Sequence, residues 1–330
     1  MEIELVGCPQ GRSEKAWTQL LTRCALEPDR NIQSTVLIWD GNILTAAGSR
    51  QENLLKCIAV DDRYQGEGLT ATLLTQLRQD AFENGYRHLF LYTKPKNLIT
   101  FSSLFFYPVA KTKDVLLMEN QSGGIDKFLN SLSVPADGGT IGAAVMNCNP
   151  FTLGHRYLVE TAARECDHVY LFVLSEDKSY FSAADRMEMV KRGVADLTNV
   201  TVLPTGPFLI SSATFPTYFL KERDKAEDIH CQLDIEIFVR YFVPKFHITR
   251  RYVGTEPLSP MTERYNAALR ENLPGRGVEL REIPRLESGK APISASAVRA
   301  LLEQGDWDAL KQLLPETTYR YLAEKTHAAI

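Results

Sequence analysis

Thr152, Gly154 and His155 stand together where an apolar run gives way to a helical pattern. Ile141 to Met146 reads as a buried parallel strand. Asn147-Cys148-Asn149-Pro150 is a polar turn, and Leu158, Val159, Ala162 and Ala163 then recur at helical spacing. A glycine at such a junction lets a phosphate approach the backbone. The helix start offers unpaired N–H groups and the positive end of a dipole, and an imidazole on the first turn adds a donor. The plainer alternative for His155 is a helix-capping or core histidine. A second phosphate-suited turn lies earlier, where Arg63-x-x-Gly66-x-Gly68 links a strand-like run to a helical one. Glycines there let consecutive N–H groups converge on a pyrophosphate, although a glycine-rich turn is a weak signal by itself.

The elements that must hold these residues follow from patterning. In the first half, Lys15 to Ala25 can form an amphipathic helix. Ser34 to Trp39 and Asn42 to Ala47 read as strands joined by the hairpin signal Asp40-Gly41. Leu54 to Val60 is a third strand, Leu69 to Asn84 a helix stopped by Gly85, and Arg87 to Tyr92 a fourth strand. Asn120 to Gly124 and Pro135 to Gly139 are turn-rich and bracket a short helical stretch. The domain junction is placed there, giving domains 1–133 and 134–330. In the second half, strands at His168–Leu174, Val200–Leu203, His247–Val253 and Val278–Ile283 alternate with helices. Ser182 is an N-cap with Asp185 three residues on. This alternation means an α/β fold with a parallel sheet and a site at its strand carboxyl ends.

Composition sets bounds. A chain of 330 residues exceeds one typical domain, and 44% apolar with 24% charged residues is ordinary for a globular protein. A net charge of −4 argues against nucleic acid or an anionic membrane surface as partner. No apolar run is long enough to span a bilayer, and the N-terminus lacks an export pattern. The six cysteines are scattered without a C-x-x-C pair, so reduced thiols in the cytoplasm are expected, with no metal site.

From about Thr35 to Ala110 the chain resembles the GCN5-related N-acetyltransferase fold, through Arg63, Gly66 and Gly68 and through Lys94-Pro95-Lys96-Asn97 followed by Phe101 to Phe106. Phe105 replaces that fold's usual glycine and no general base is marked. The resemblance therefore implies a CoA-like ligand rather than amine acetylation. Thr152-x-Gly154-His155 paired with Ile293-Ser294-x-Ser296-x-x-Arg299 resembles the HxGH nucleotidyltransferase superfamily, with threonine for the first histidine as in its pantetheine-phosphate branch. The resemblance implies attack of a nucleophile on the α-phosphate of ATP with loss of pyrophosphate. Catalysis would rest on positioning and on neutralising phosphate charge. It implies that His155 and Thr152 contact the phosphates, with Asn149 and Gly154 beside them. Ser294, Ser296 and Arg299 would hold the β and γ phosphates. Lys178 would meet the phosphate or nucleophile, and Gly254, Thr255 and Glu256 the ribose and base. Without a ligand, Ser294 is an N-cap, Arg299 and Lys178 are solvated, and Glu256 is a turn carboxylate.

Over nearly its whole length the chain resembles the citrate lyase ligase family, which joins an acetyltransferase-like domain to an HxGH domain. Asn147 to Ala163, Val253 to Leu269 and Ala291 to Arg299 carry the likeness. It implies that acetate attacks ATP, with Mg²⁺ on the triphosphate, to give acetyl-AMP. A thiol then takes the acetyl group, that of the phosphoribosyl-dephospho-CoA on the acyl carrier subunit of citrate lyase. The alternatives are an adenylyltransferase acting on a phosphopantetheine-like metabolite, and an acetyl-CoA sensor that only binds nucleotide.

Overall fold

The computed structural model describes residues 1–136, 138–210, 215–220, 225–255, 260–288 and 291–327, the side chains of 261, 288, 291 and 327 excepted. Two compact units emerge. One comprises Met1–Gly124 with Pro216–Ile229, the other Ile125–Phe215 with His230–Ile330. The first break thus falls at Gly124, some residues before the turn-rich stretch ending at Gly139, and a piece of the later chain joins the first unit. The contacts that place it there are specific. The Tyr218 hydroxyl donates to the Tyr92 carbonyl (2.7 Å), and Glu27 N–H donates to the Tyr218 carbonyl (2.8 Å). Tyr218 and Phe219 are both buried.

In the first unit β1 (Glu2–Val6), β2 (Ser34–Asp40), β3 (Ile43–Gln51) and β4 (Leu54–Val60) form an antiparallel series. Beyond them lie β5 (Phe90–Thr93), β6 (Tyr107–Lys111) and β7 (Leu116–Glu119), in the sheet order β1-β2-β3-β4-β5-β7-β6. Helices α1 (Gly11–Arg23), α2 (Leu69–Glu83) and α3 (Leu98–Ser102) accompany the sheet. Gly41 supplies the left-handed backbone (φ +56°) that the β2–β3 turn requires. Leu69, Leu73, Leu77 and Ala81 form the buried stripe of α2, at the spacing of one helical face. Strands β4 and β5 are parallel and pair only at Leu54–Phe90 and Leu55–Leu91. Past that point they part, and a groove of about 930 Å³ opens between Ile58 to Val60 and Leu91 to Thr93, closed at one side by Tyr218 and Phe219. The edge strand β1 and the pair β6–β7 were not anticipated. The β1 residues Glu2 to Leu5 are exposed on both faces, so alternation there carries no core signal.

In the second unit a short α4 (Gly124–Asn130) leads to β8 (Ile141–Met146), α5 (Leu153–Glu165), β9 (His168–Val173), α6 (Ala183–Gly193) and β10 (Val200–Pro204). After α7 (Ala226–Ile237), whose first residues belong with the first unit, a π-helical turn at Phe238–Phe242 and α8 (Val243–Phe246) come β11 (Arg250–Gly254), α9 (Pro260–Asn272) and β12 (Glu279–Ile283). The chain ends with α10 (Ala295–Gln304), α11 (Trp307–Leu310) and α12 (Glu316–His327). The sheet order is β10-β9-β8-β11-β12, parallel throughout. The chain runs outward from β8 through β9 to β10, then returns to β11 and runs the other way. Neighbouring crossovers therefore leave in opposite directions at the carboxyl ends of β8 and β11, which opens a crevice there. The predicted α/β architecture stands: an acetyltransferase-like mixed sheet first, a parallel Rossmann-like sheet second. Among the described residues no helix is long and apolar enough to cross a membrane.

Candidate active site

A cleft of about 620 Å³ occupies that crevice. Asn149, Thr152, Gly154, His155, Gly254, Ser294, Ser296 and Arg299 all line it. Two sequence motifs far apart in the chain are thus brought to one cavity, and one bond ties them directly. Arg299 Nη1 donates to the Asn149 carbonyl at 2.6 Å.

The loop between β8 and α5 is held from beneath. Arg186, fully buried, donates through Nη1 to the Asn147 carbonyl (2.9 Å), to Asn147 Oδ1 (2.7 Å) and to the Leu174 carbonyl (2.9 Å). Its Nε reaches the Phe181 carbonyl at 3.2 Å. Asn149 Oδ1 accepts from the Phe181 N–H at 3.0 Å. Cys148 sits at φ +51°, an unusual conformation for a non-glycine residue. Its side chain is buried, which raises the thiol well above its usual range, so it is no nucleophile.

His155 is both a cap and a cleft residue. Thr152 N–H donates to His155 Nδ1 (3.0 Å), and His155 N–H donates to Thr152 Oγ1 (3.4 Å), a reciprocal capping box at the start of α5. The Thr152 hydroxyl is also 2.9 Å from Nδ1, and the residue is 1% exposed, so its oxygen is turned onto the imidazole. The His155 ring stacks at 15° on buried Phe151. Because Nδ1 accepts a backbone N–H, the neutral ring carries its proton on Nε2. Burial, and then the charge of Arg285, push its pKa down to about 4. The unfolded chain binds this proton near pH 6.5. The stability it contributes is therefore full above that value and is lost as pH falls through about 4. Nitrogen-15 NMR of the labelled imidazole should show the Nε2–H tautomer unchanged from pH 8 to 5. A titration near 6.5 would contradict the partly buried, capped geometry.

At the opposite wall, Ser294 is the N-cap of α10, its Oγ accepting from Ala297 N–H (3.2 Å), while Ser296 in the first turn is exposed to the cleft. The plain N-cap reading of Ser294 is thus correct, and its position in the lining is compatible with the other. A Cβ on Gly154 would stand 3.4 Å from the Ile293 carbonyl, tolerable for the fold but projecting where the two helix starts face one another. Gly254 lines the cleft and its carbonyl accepts from Asn266 Nδ2 (2.9 Å). Thr255 stands just behind, its N–H donating to Ile283 and its carbonyl accepting from Arg285 Nε (both 2.9 Å). Glu256 lies outside the described residues. Lys178 is exposed on the loop after β9 and does not line the cleft.

Sequence reasoning missed Arg186, Arg285 and Arg251. Arg285 lies two residues past the end of β12, at the kind of strand end where a parallel sheet collects its site. Arg186, Met189, Val190 and Gly193 share one buried face of α6, so the position of Arg186 within an apolar stripe was the available signal. The guanidinium groups of Arg251, Arg285 and Arg299, an imidazole N–H and two helix starts facing one cavity suit a polyanion. Among the described residues no three His, Cys, Asp or Glu side chains converge as metal ligands.

In the first unit Gly66 (φ +89°) and Gly68 (φ +76°) line the groove at the start of α2, both in the left-handed region that glycine tolerates. Arg63 turns instead onto Asp61, with Nε and Nη2 at 3.0 and 3.1 Å, and its hydrogen bonds hold that carboxyl down to about 2. Phe105, which replaces the fold's usual glycine, takes a glycine-like backbone (φ +60°) and leaves its ring exposed.

Two family models match the chain in succession. Residues 4–101 match the acetyltransferase (GNAT) family, and residues 141–322 match the citrate lyase ligase C-terminal domain. The chain is similar to the citrate (pro-3S)-lyase ligase of Klebsiella pneumoniae, 44% identical over 293 residues and 86% of each chain. It is similar to that of Escherichia coli K12 at 38% over 311 residues, covering 92% of this chain and 88% of the relative. The Haemophilus influenzae ligase aligns over 98% of both chains at 36% identity. With the second unit matched by the ligase domain and the likeness continuing through the first, the chain belongs to the citrate lyase ligase family.

Proposed function

We propose that the protein is an ATP-dependent ligase that activates acetate as acetyl-AMP and passes the acetyl group to a thiol on the acyl carrier subunit of citrate lyase. The observation that carries this reading is the single cleft shared by His155, Ser294, Ser296 and Arg299. An acetate oxygen attacks the α-phosphorus, the bond to the bridging oxygen breaks, and pyrophosphate leaves with the electron pair. The thiol of the phosphoribosyl-dephospho-CoA group, having lost its proton, then attacks the acetyl carbon and AMP departs.

The chain's own groups do the positioning. His155 Nε2–H donates to the α-phosphate as negative charge builds there. Thr152 acts through His155, fixing its tautomer and plane. Ser294, Ser296, Arg299 and the α10 N–H groups receive the β and γ phosphates. Asn149 holds Arg299 in place, Gly154 leaves room for phosphate, and Gly254 forms the floor beside the nucleoside with Thr255 behind it. Lys178, on its exposed loop, receives no step. Mg²⁺ suits this basic donor set when carried by the triphosphate oxygens and water, which is its usual preference.

The groove of the first unit, with Gly66 and Gly68 at the start of α2, suits the pyrophosphate of the CoA-like prosthetic group. Adenylyl transfer to a phosphopantetheine-like metabolite could use the same cleft but gives the groove no part. The test combines ATP, Mg²⁺, acetate and deacetylated citrate lyase, followed for pyrophosphate and regained lyase activity. Gly66→Val should raise the carrier concentration required about tenfold, the cost of roughly one charge-assisted bond, and leave acetate-dependent ATP–pyrophosphate exchange intact. Pyrophosphate release with phosphopantetheine but not with acetate would favour the adenylyltransferase.

A further inference from the structure

The cleft has a second wall that the phosphate contacts leave unused. Side chains alternate along β11. The Tyr252 hydroxyl turns toward α5, donating to Glu165 Oε2 (3.0 Å) beside Cys166 Sγ (3.2 Å), so Arg251 turns to the opposite face. There the guanidinium lies over the Phe238 ring, 4.5 Å from its centroid. Arg251 is 2% exposed and still contributes to the cleft lining. Its Nε and Nη1 have no hydrogen-bond partner among the described residues. Unmet donors on a buried charge are rare, and they mark a position completed by something the chain does not supply. The neighbouring Asp234 does not supply it. Asp234 Oδ2 accepts from the Tyr265 hydroxyl at 2.5 Å, and no ion pair joins Asp234 to Arg251 among the described residues.

We propose that Arg251 receives the carboxylate group of the acid substrate, with Phe238 and Tyr265 holding the guanidinium plane. The inference rests on the ligase reading above and assigns the acid a place within the same cleft. A planar carboxylate matches the planar guanidinium donors, whereas a lysine could offer only a point charge. One carboxylate oxygen is held by Arg251 while the other forms the bond to the α-phosphorus, as the bond to pyrophosphate breaks. The small substituent of the acid would face Val253 and Met146, which line the cavity beside Arg251. Arg251 is therefore a catalytic residue by contact with the reacting carboxylate.

The experiment compares the full-length wild type with Arg251→Lys and Arg251→Gln. Loss of a charged hydrogen bond should raise KM for acetate in the exchange assay about 10- to 100-fold and leave KM for ATP nearly unchanged. Carbon-13 acetate alone, titrated by NMR line broadening, should saturate the wild type and fail to saturate Arg251→Gln. Should both variants unfold, the Arg251 Nε–H resonance of the labelled wild type serves instead, and it should move on acetate addition. An unchanged acetate KM in folded variants, a rise confined to ATP, or a motionless Nε–H signal would overturn the assignment. The two readings fail separately. Acetate binding at Arg251 without any exchange removes the ligase chemistry and keeps the site. Exchange that ignores Arg251 removes the site and keeps the chemistry.

Discussion

His155→Ala should slow acetate-dependent exchange of pyrophosphate into ATP by about 10²–10³-fold, roughly 3–4 kcal/mol of transition-state stabilisation. The size follows from a single oriented donor held in a partly buried cleft, where Phe151 and Thr152 have already fixed the ring. Stability should change far less. The alanine removes one acceptor for the Thr152 N–H, worth about 1 kcal/mol, and the melting temperature should fall only slightly. His155→Asn separates the two roles. Its carboxamide can replace Nδ1 as the capping acceptor but cannot place a donor where Nε2 stood, so the melting temperature should recover while the rate stays low. Exchange within a few-fold of wild type in either folded variant would take the imidazole out of the mechanism.

Arg299→Ala should be comparably severe, with kcat/KM for ATP reduced about 10³-fold, or roughly 4 kcal/mol. Two losses combine. The phosphates lose a charge-assisted donor, and the Asn149 carbonyl loses the bond that ties α10 to the loop before α5. A substitution at this position should therefore raise KM and lower kcat together, unlike a pure binding contact. Arg299→Lys should recover little, because an ammonium cannot hold Asn149 and a phosphate oxygen in the same fork. Steady-state kinetics with ATP varied at saturating acetate, alongside calorimetric melting, separates the effect from unfolding. A lysine variant near wild-type rate would show that charge alone suffices.

Much of this site was legible before folding because it is local. The strand, polar turn, glycine and histidine from Ile141 to His155 are contiguous, and the apolar period changes within them. The capping of α6 by Ser182, with Oγ accepting from Asp185 N–H at 3.1 Å, was equally readable. So was the left-handed end of α2 at Gly85 (φ +87°). Where expectation and structure part, the missing information is non-local. The strands β6 and β7 have no clear alternation and exist because β5 offers an edge to β7. Arg63 belongs to a phosphate-suited motif, but Asp61 two residues earlier holds its guanidinium.

From the chain alone came the two phosphate-suited turns, the alternating order that makes a parallel sheet, and the residue types able to meet a triphosphate. These are encoded in neighbours along the sequence, where hydrophobic period and helix starts are set within a few residues. Only the tertiary structure decided that His155 and Arg299 share a cavity, that Arg186 and Arg285 brace it, and that Tyr218 belongs with the first unit. It also decided that Arg251 is buried with unmet donors. The shared cavity and the burial of Arg251 depend on which distant surfaces come together when β11 returns to pair beside β8. No spacing within the chain records that return.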